Sequence, residues 1–185
     1  MFSESTRYYD RIYELKDYAG EVIRLKELIA EYKRAPGNRL LELACGTGVH
    51  ISLLRDGFDC VGGDLSAEML ALAAERNPGV EFVELDLVDF DLGREFDVIT
   101  CLFSSIGYAG TVERLRSSIA SMAQHLAPGG VVILEPWFTR EQYRPDTVHM
   151  RVIDEPEFKL CRMNVSAVDG DLSVLDLHHL IATPD

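Results

Sequence analysis

A doubly wound α/β sheet followed by an antiparallel β layer is the fold this sequence predicts, on three observations. The stretch Leu40-Leu41-Glu42-Leu43-Ala44-Cys45-Gly46-Thr47-Gly48 is an apolar run that ends in two closely spaced glycines, and an apolar segment, Val49–Leu54, follows at once. That order is strand, turn and helix, with a turn where glycine lets a ligand lie against the backbone. Apolar runs then alternate with helical periodicities as far as residue 135, which implies a mainly parallel sheet with right-handed crossovers. Beyond that the alternation stops. Residues 148–182 read as antiparallel strands, with Asp169-Gly170 as a two-residue hairpin turn between 158–168 and 171–182.

The elements follow in order. Val22, Leu25, Ile29 and Tyr32 recur at helical spacing, so 19–34 form an amphipathic helix that Ala35-Pro36-Gly37-Asn38 stops. The first strand covers 39–44. The second covers 59–63 and ends at Asp64. Ser66 caps a helix over 67–76, which Asn77-Pro78-Gly79 ends. The third strand covers 80–85 and ends at Asp86, and the fourth covers 96–102. Leu115, Ile119, Met122 and Leu126 mark a helix over 112–126. Pro128-Gly129-Gly130 turns the chain into the fifth strand, 131–135. The expected division is a ligand-binding core, 1–145, and a β extension, 146–185.

Composition narrows the class of partner. The chain has 185 residues with 47% hydrophobic content, enough for a proper core. Its net charge of −13 repels phosphate backbones and anionic membrane surfaces. A small-molecule ligand is expected, with no nucleic acid and no membrane. No apolar run approaches the roughly 20 residues that cross a bilayer. The N-terminal stretch MFSESTRYYDRIYELKDY lacks the apolar centre of a signal peptide, so a cytoplasmic setting is expected. Cys45, Cys60, Cys101 and Cys161 form no C-x-x-C pair and read as reduced, packed thiols, with no zinc site. The five histidines show no metal-ligand spacing.

The spacing of the glycines bears on which nucleotide binds. A dinucleotide fingerprint places a third Gly or Ala three residues after the second glycine, and here that residue is Ile51. A pyrophosphate cradle fits poorly. Ligands of such sheets bind outside the carboxyl ends of the strands, where Asp64 and Asp86 fall. Asp64 can accept both ribose hydroxyls. Asp86 can accept an adenine amino group, with the N–H of Leu87 donating to a ring nitrogen. Asp64 alone would equally suit NAD, and a structural glycine turn without ligand is the bland alternative.

LLELACGTGVH, GGDLSAEML, ELDLVDF, ITCLFSSIGY and PGGVVILEPWF, in this order, resemble the class I S-adenosylmethionine-dependent methyltransferases. The first motif of that family is acid-x-Gly-x-Gly-x-Gly. Glu42 supplies the acid, and Ala44 stands at the first glycine. From Tyr8 to Pro184 the chain is similar, more narrowly, to N-methyltransferases that dimethylate nucleotide-linked deoxyaminosugars of the desosamine and mycaminose type. Phe103-Ser104-Ser105-Ile106-Gly107-Tyr108 and Glu135-Pro136-Trp137-Phe138 carry that narrower likeness.

The resemblance implies a Rossmann-like sheet, S-adenosylmethionine as cofactor, and a small-molecule acceptor of nucleotide-sugar type. It implies cofactor contacts from Glu42, Ala44, Gly46, Gly48, Asp64, Leu65, Met69, Asp86, Leu87 and Phe103, and from Tyr13 and Tyr18 in an N-terminal lid. Tyr108, Trp137, Phe138 and Arg162 would face the acceptor, with Tyr108 or His178 as the group that takes a proton. Read without it, Tyr8, Tyr9, Tyr13 and Tyr18 pack a helix, Met69 is core, Trp137 packs a strand end, Tyr108 anchors a loop and His178 is a sheet histidine. With a tight turn at Asp169-Gly170, His178 lies opposite Cys161, and Asp176 shares its face. Other readings are a methyltransferase for another metabolite, a non-catalytic cofactor-binding protein on the same fold, or a NAD-dependent oxidoreductase. Family members continue past the position of Asp185 with a helix and further strands. The fifth strand is therefore expected at a sheet edge, and a homodimer is expected.

Overall fold

Phe96–Cys101 is a strand buried at all six positions, which requires cover on both of its faces. In the computed structural model, which describes residues 6–184, the helices are α1 Tyr9–Ile12, α2 Tyr18–Tyr32, α3 Val49–Leu54, α4 Ala67–Arg76 and α5 Val112–Gln124. The strands are β1 Arg39–Leu43, β2 Asp59–Asp64, β3 Glu81–Glu84, β4 Phe96–Cys101, β5 Leu126–Leu134, β6 Val148–Asp154, β7 Lys159–Asp169 and β8 Leu172–Ala182. The chain divides into two compact units, Lys16–Trp137 and residues 6–15 with 138–184.

The first unit is a parallel sheet in the order β3-β2-β1-β4-β5. Leu40, Val98, Ile51 and Leu54 pack with Val22, Leu25 and Ile29 of α2 in one cluster. Leu41, Leu43, Ile99 and Met122 of α5 pack in another. Alternate residues of β1 and β4 thus serve opposite sides of the sheet. Among the described residues, β3 and β5 are the two edges. Ser66 caps α4 as expected, and Asp17 and Thr111, not assigned from the sequence, cap α2 and α5 in the same way by accepting backbone N–H bonds.

Two ends differ from expectation. α2 stops at Tyr32 rather than 34, because the N–H groups of Arg34 and Ala35 both donate to the carbonyl of Gly129, at 2.7 Å. α5 stops at Gln124 rather than 126. Leu126 has already joined the sheet opposite Phe96, and Pro128-Gly129-Gly130 forms a register shift inside β5 rather than a turn ahead of it.

The second unit is an antiparallel sheet in the order β6-β7-β8. Its core is Tyr8, Ile12, Ile153 and Leu160, with Tyr13, Phe158 and Ile181 packed against it. The Tyr8 and Phe158 rings stand 4.8 Å apart, and Arg11 pairs with Glu155. For this reason residues 6–15 group with the β layer, and the division of the chain falls at 137/138 rather than 145.

The hairpin register also needs correction. Asp169 pairs with Leu172, so the loop residues are Gly170 and Asp171. Gly170 has φ 59°, and glycine at the first loop position is the type II′ signature rather than the Asp-Gly one. His178 therefore lies opposite Met163, and Cys161 lies opposite Leu180. The slip is two residues along β7, so every side chain keeps its expected face. Leu160 and Leu175 share one face; Val165 and Val174 share the other.

Candidate cofactor site

The first unit concentrates its unusual backbone at the end of β1. Ala44, Gly46 and Gly48 all have positive φ, at 52°, 54° and 70°. The two glycines serve different purposes. A Cβ on Gly46 would meet nothing within 4 Å, so this residue borders open space. A Cβ on Gly48 would lie 2.7 Å from Asn77 Nδ2, so Gly48 is required by packing against α4 and not by a ligand alone. Asn77, fully buried, donates to the carbonyls of Gly48 and Ala73 at 3.0 and 3.1 Å, and Arg76 donates to that of Thr47. The end of α4 thereby holds the turn in shape.

Asp64 closes β2 and ties it to that turn. Its Oδ2 accepts the Gly46 N–H at 2.8 Å, and its Oδ1 accepts that of Ser66 at 2.9 Å. A carboxylate has about four acceptor positions, so room remains for hydroxyl donors. Leu65 beside it is exposed, while Met69 is buried in α4. After β3, Asp86 Oδ1 accepts the Val88 N–H at 2.9 Å, and Leu87 is buried. Asp86 Oδ2 lies 3.4 Å from Arg114 Nη2, a cation that the sequence reading did not assign to this acid.

The loop after β4 is strained. Phe103 and Ser104 have φ 53° and 57°, uncommon for residues with side chains. Glu135 at the end of β5 holds the loop by accepting the Phe103 N–H at 2.6 Å, and Ser104 Oγ donates to the Pro136 carbonyl at 3.0 Å. Strain of this kind gathers at ligand clamps. Tyr108 follows on a 3₁₀ turn, Ser105–Ala109, and is well exposed. The adjacent Gly107 backs onto Trp137, whose Cβ would lie 3.4 Å from a side chain there.

A charged chain missed by the sequence reading runs through the middle of this unit. Glu42 is buried in β1, with Oε1 3.1 Å from Nδ1 of His50 in α3. His50 Nε2 is 2.9 Å from Glu21 Oε2 in α2, and Glu21 pairs in turn with Lys16. The Lys16 ammonium sits 4.3 Å from the Tyr18 ring centre and 4.7 Å from that of Phe103, and the Tyr18 ring is 5.0 Å from His50. Glu42, Tyr18 and Phe103, expected around one ligand, are thus brought together through residues that had no assigned role. Burial alone would push the His50 pKa down. The hydrogen bond and charge of Glu42, together with Glu21, outweigh it, and the pKa is raised despite repulsion by Lys16. Burial would raise Glu21, but Lys16 and His50 bring it below the ordinary value. The available signal was a lone histidine inside the apolar Val49–Leu54 run.

The remaining candidates lie in the second unit. Tyr13 accepts a hydrogen bond from Arg162 Nη1 at 2.9 Å, with the guanidinium 5.2 Å above its ring. Phe138 is exposed, as is His178 on β8. Three of the thiols are not poised for chemistry: burial pushes Cys60 and Cys101 up to about 12, and Cys45 upward too. Among the described residues, no helix is long and apolar enough to cross a membrane.

Residues 40–130 match the family described as a Methyltransferase domain. Over 98% of its length the chain is 36% identical to a dTDP-3-amino-3,6-dideoxy-alpha-D-glucopyranose N,N-dimethyltransferase of Streptomyces fradiae, of which it covers 72%. Over 91% it is 37% identical to a dTDP-3-amino-3,4,6-trideoxy-alpha-D-glucopyranose N,N-dimethyltransferase of Streptomyces venezuelae, of which it covers 71%. The chain belongs to the class I methyltransferases, among the aminosugar N,N-dimethyltransferases. The crystal structure of Streptomyces venezuelae DesVI superposes on this methyltransferase with a TM-score of 0.90 at 34% identity, over 98% of this chain and 78% of that one. An S-adenosylmethionine-bound amino pentose methyltransferase from Micromonospora echinaspora gives 0.81 at 32%, over 94% and 80%.

The methyltransferase corner fits S-adenosylmethionine. Glu42 Oε2 is buried without a hydrogen-bond partner among the described residues, which is costly unless a donor such as the ligand's ammonium fills it. Gly46 borders open space, and Asp64 retains acceptor capacity for a ribose. Three acids, Glu42, Asp64 and Asp86, suit a cationic ligand rather than a pyrophosphate.

Proposed function

We propose that this chain transfers methyl groups to the amino group of a nucleotide-linked deoxyaminosugar. The observation that carries the reading is the corner of Glu42, Gly46 and Asp64, in a chain 36–37% identical to enzymes named for dTDP-aminosugars. When bound, S-adenosylmethionine supplies a methyl group already activated on a sulfonium. The protein's task is to align the acceptor nitrogen with that carbon and exclude water, and alignment contributes on the order of 7–11 kcal/mol.

In this reading Asp64 holds the ribose, Asp86 and Leu87 read the adenine edge, and Leu65 and Met69 flank it. Tyr18 and Phe103 line the sulfonium. Tyr108 and Trp137, neighbours across Gly107, orient the acceptor. For Tyr13, Phe138, Arg162 and His178, all in the second unit, the roles rest on the resemblance. Tyr108 ranks ahead of His178 as the group that takes the amine proton. General-base help is worth about 10²–10⁴-fold, and alignment is ranked above it. Tyr108→Phe should therefore lower kcat only moderately; a loss beyond about 10⁴-fold would reverse that ranking.

The direct test incubates the protein with S-adenosylmethionine and dTDP-3-amino-3,6-dideoxyglucose and follows the sugar by mass spectrometry. Addition of one or two methyl groups is expected. Cofactor binding without turnover on a panel of 3-amino and 4-amino sugar nucleotides would overturn the acceptor assignment. A parallel titration must show S-adenosylhomocysteine binding and NADH failing to bind. We further propose a cytoplasmic homodimer, supported by apolar residues on both faces of the β layer. Light scattering that shows a stable monomer at micromolar concentration would count against it.

A further inference from the structure

We propose that His50 is a positioning residue for cofactor capture: its imidazolium clamps Glu42 and Glu21 together and so ties helix α2 to the acid that meets the cofactor's ammonium. The inference rests on the cofactor assignment and is independent of which acceptor is used.

The geometry makes the argument. Each ring nitrogen faces a carboxylate oxygen, Nδ1 to Glu42 at 3.1 Å and Nε2 to Glu21 at 2.9 Å. An ionised carboxylate only accepts hydrogen bonds, and a neutral imidazole has a single N–H. With both acids ionised, both contacts are satisfied at once only by the doubly protonated ring. The groups that face His50 are Glu42 from β1, Glu21 from α2, Lys16 from the segment before α2, and the edge of the Tyr18 ring. Glu42 uses Oε1 for His50 and leaves Oε2 buried without a partner, so His50 orients the carboxylate that a ligand ammonium would complete. Glu21 also holds Lys16, which lies over the Tyr18 and Phe103 rings. Loss of the His50 proton leaves one donor for two acceptors. The contact to Glu21 then fails, and α2 with Lys16 and Tyr18 is released from the corner.

The test measures S-adenosylhomocysteine binding by calorimetry between about pH 6.5 and 9.5, bracketing the range through which a raised histidine titrates. H50Q keeps donor hydrogens on one nitrogen only and loses the charge. It should bind about tenfold more weakly at the lower pH, the scale of a hydrogen bond to a charged group. Its deficit should shrink as pH rises, because wild-type His50 then also has only one donor. The free ligand's amine titrates identically in both experiments, so the difference between the curves belongs to the complexes, where His50 is the group that differs. A role confined to folding would leave a deficit independent of pH. Imidazole NMR on the wild type gives a second reading: His50 should titrate above the ordinary histidine value, and E21Q should bring it down. H50Q binding as tightly as wild type, a constant deficit, or titration of His50 at or below the ordinary value would overturn the proposal. Failure of the wild type to bind S-adenosylhomocysteine at all would overturn the cofactor assignment along with it.

Discussion

The two units bury their strands differently. In the parallel sheet β4 is buried at every position, and β1 at all but its first. In the antiparallel layer β8 has no fully buried residue in eleven, and Leu180 is 70% exposed. Helices on both faces demand continuous apolar runs, whereas a layer with one covered face retains alternation. Positional precision resides in the parallel sheet. The acids at the ends of β1 and β2 are held by strands that cannot slip, because a one-residue slip would drive Leu41 or Ile99 out of its cluster. In the hairpin a two-residue shift would leave every side chain on its face, so alternation there does not by itself fix the register.

The largest test of this contrast is stability. Ile99→Ala should cost about 2–5 kcal/mol in denaturant melts, the range for deleting a fully buried aliphatic side chain. Met150→Ala on the exposed face of β6 should stay within about 0.5 kcal/mol. Similar losses at both sites would break the contrast. Binding is the next. Asp64→Ala removes the acceptor of two backbone N–H groups and of the proposed ribose contact, and should weaken S-adenosylhomocysteine by about 1–3 kcal/mol. Asp171→Ala deletes only a surface pair with Arg140 in the second unit and should leave calorimetric affinity unchanged.

A smaller effect separates the two units by sign. The His50 pKa is raised above 6.5, so its stabilisation is complete below that value and is lost as pH rises through the folded pKa. The His179 pKa is lowered by burial, then by Arg162 and His178, so its contribution is complete above 6.5 and is lost as pH falls through the folded pKa. Melts should show the margin of wild type over H50Q closing on the alkaline side, and that over H179Q closing on the acid side. The smallest effect concerns Ala44. Glycine there would relieve left-handed strain of about 1–2 kcal/mol but lose about 0.5–1 to chain entropy, for a net gain of at most about 1.5 kcal/mol in thermal melts. A destabilised Ala44→Gly would show that the turn depends on the methyl group.

Much of the fold was legible because it depends on local pattern. Apolar runs, Ser66 as a cap, and Gly46 and Gly48 after a buried run place the elements within a few residues. The strand reading put Asp64 and Asp86 at strand ends, and the family resemblance added Glu42. The helix ends at Tyr32 and Gln124 were not legible. The Gly129 carbonyl and the pairing of Phe96 with Leu126 set them, and both are contacts across long stretches of chain.

By itself the sequence determined the parallel sheet, its order of strand and helix, and the acids at the carboxyl ends of its strands, because periodicity and glycine spacing act on neighbouring residues. It also determined which faces the hairpin side chains take, since that depends only on alternation. Only the tertiary structure decided that residues 6–15 pack with the β layer, that Gly48 is held by Asn77, and that Glu135 props the Phe103 loop. The same holds for the line from Glu42 through His50 to Glu21 and Lys16. The physical reason is common to all of them: a hydrogen bond or ion pair between residues distant in the chain leaves no periodic mark, and exists only once the sheet brings its partners within reach.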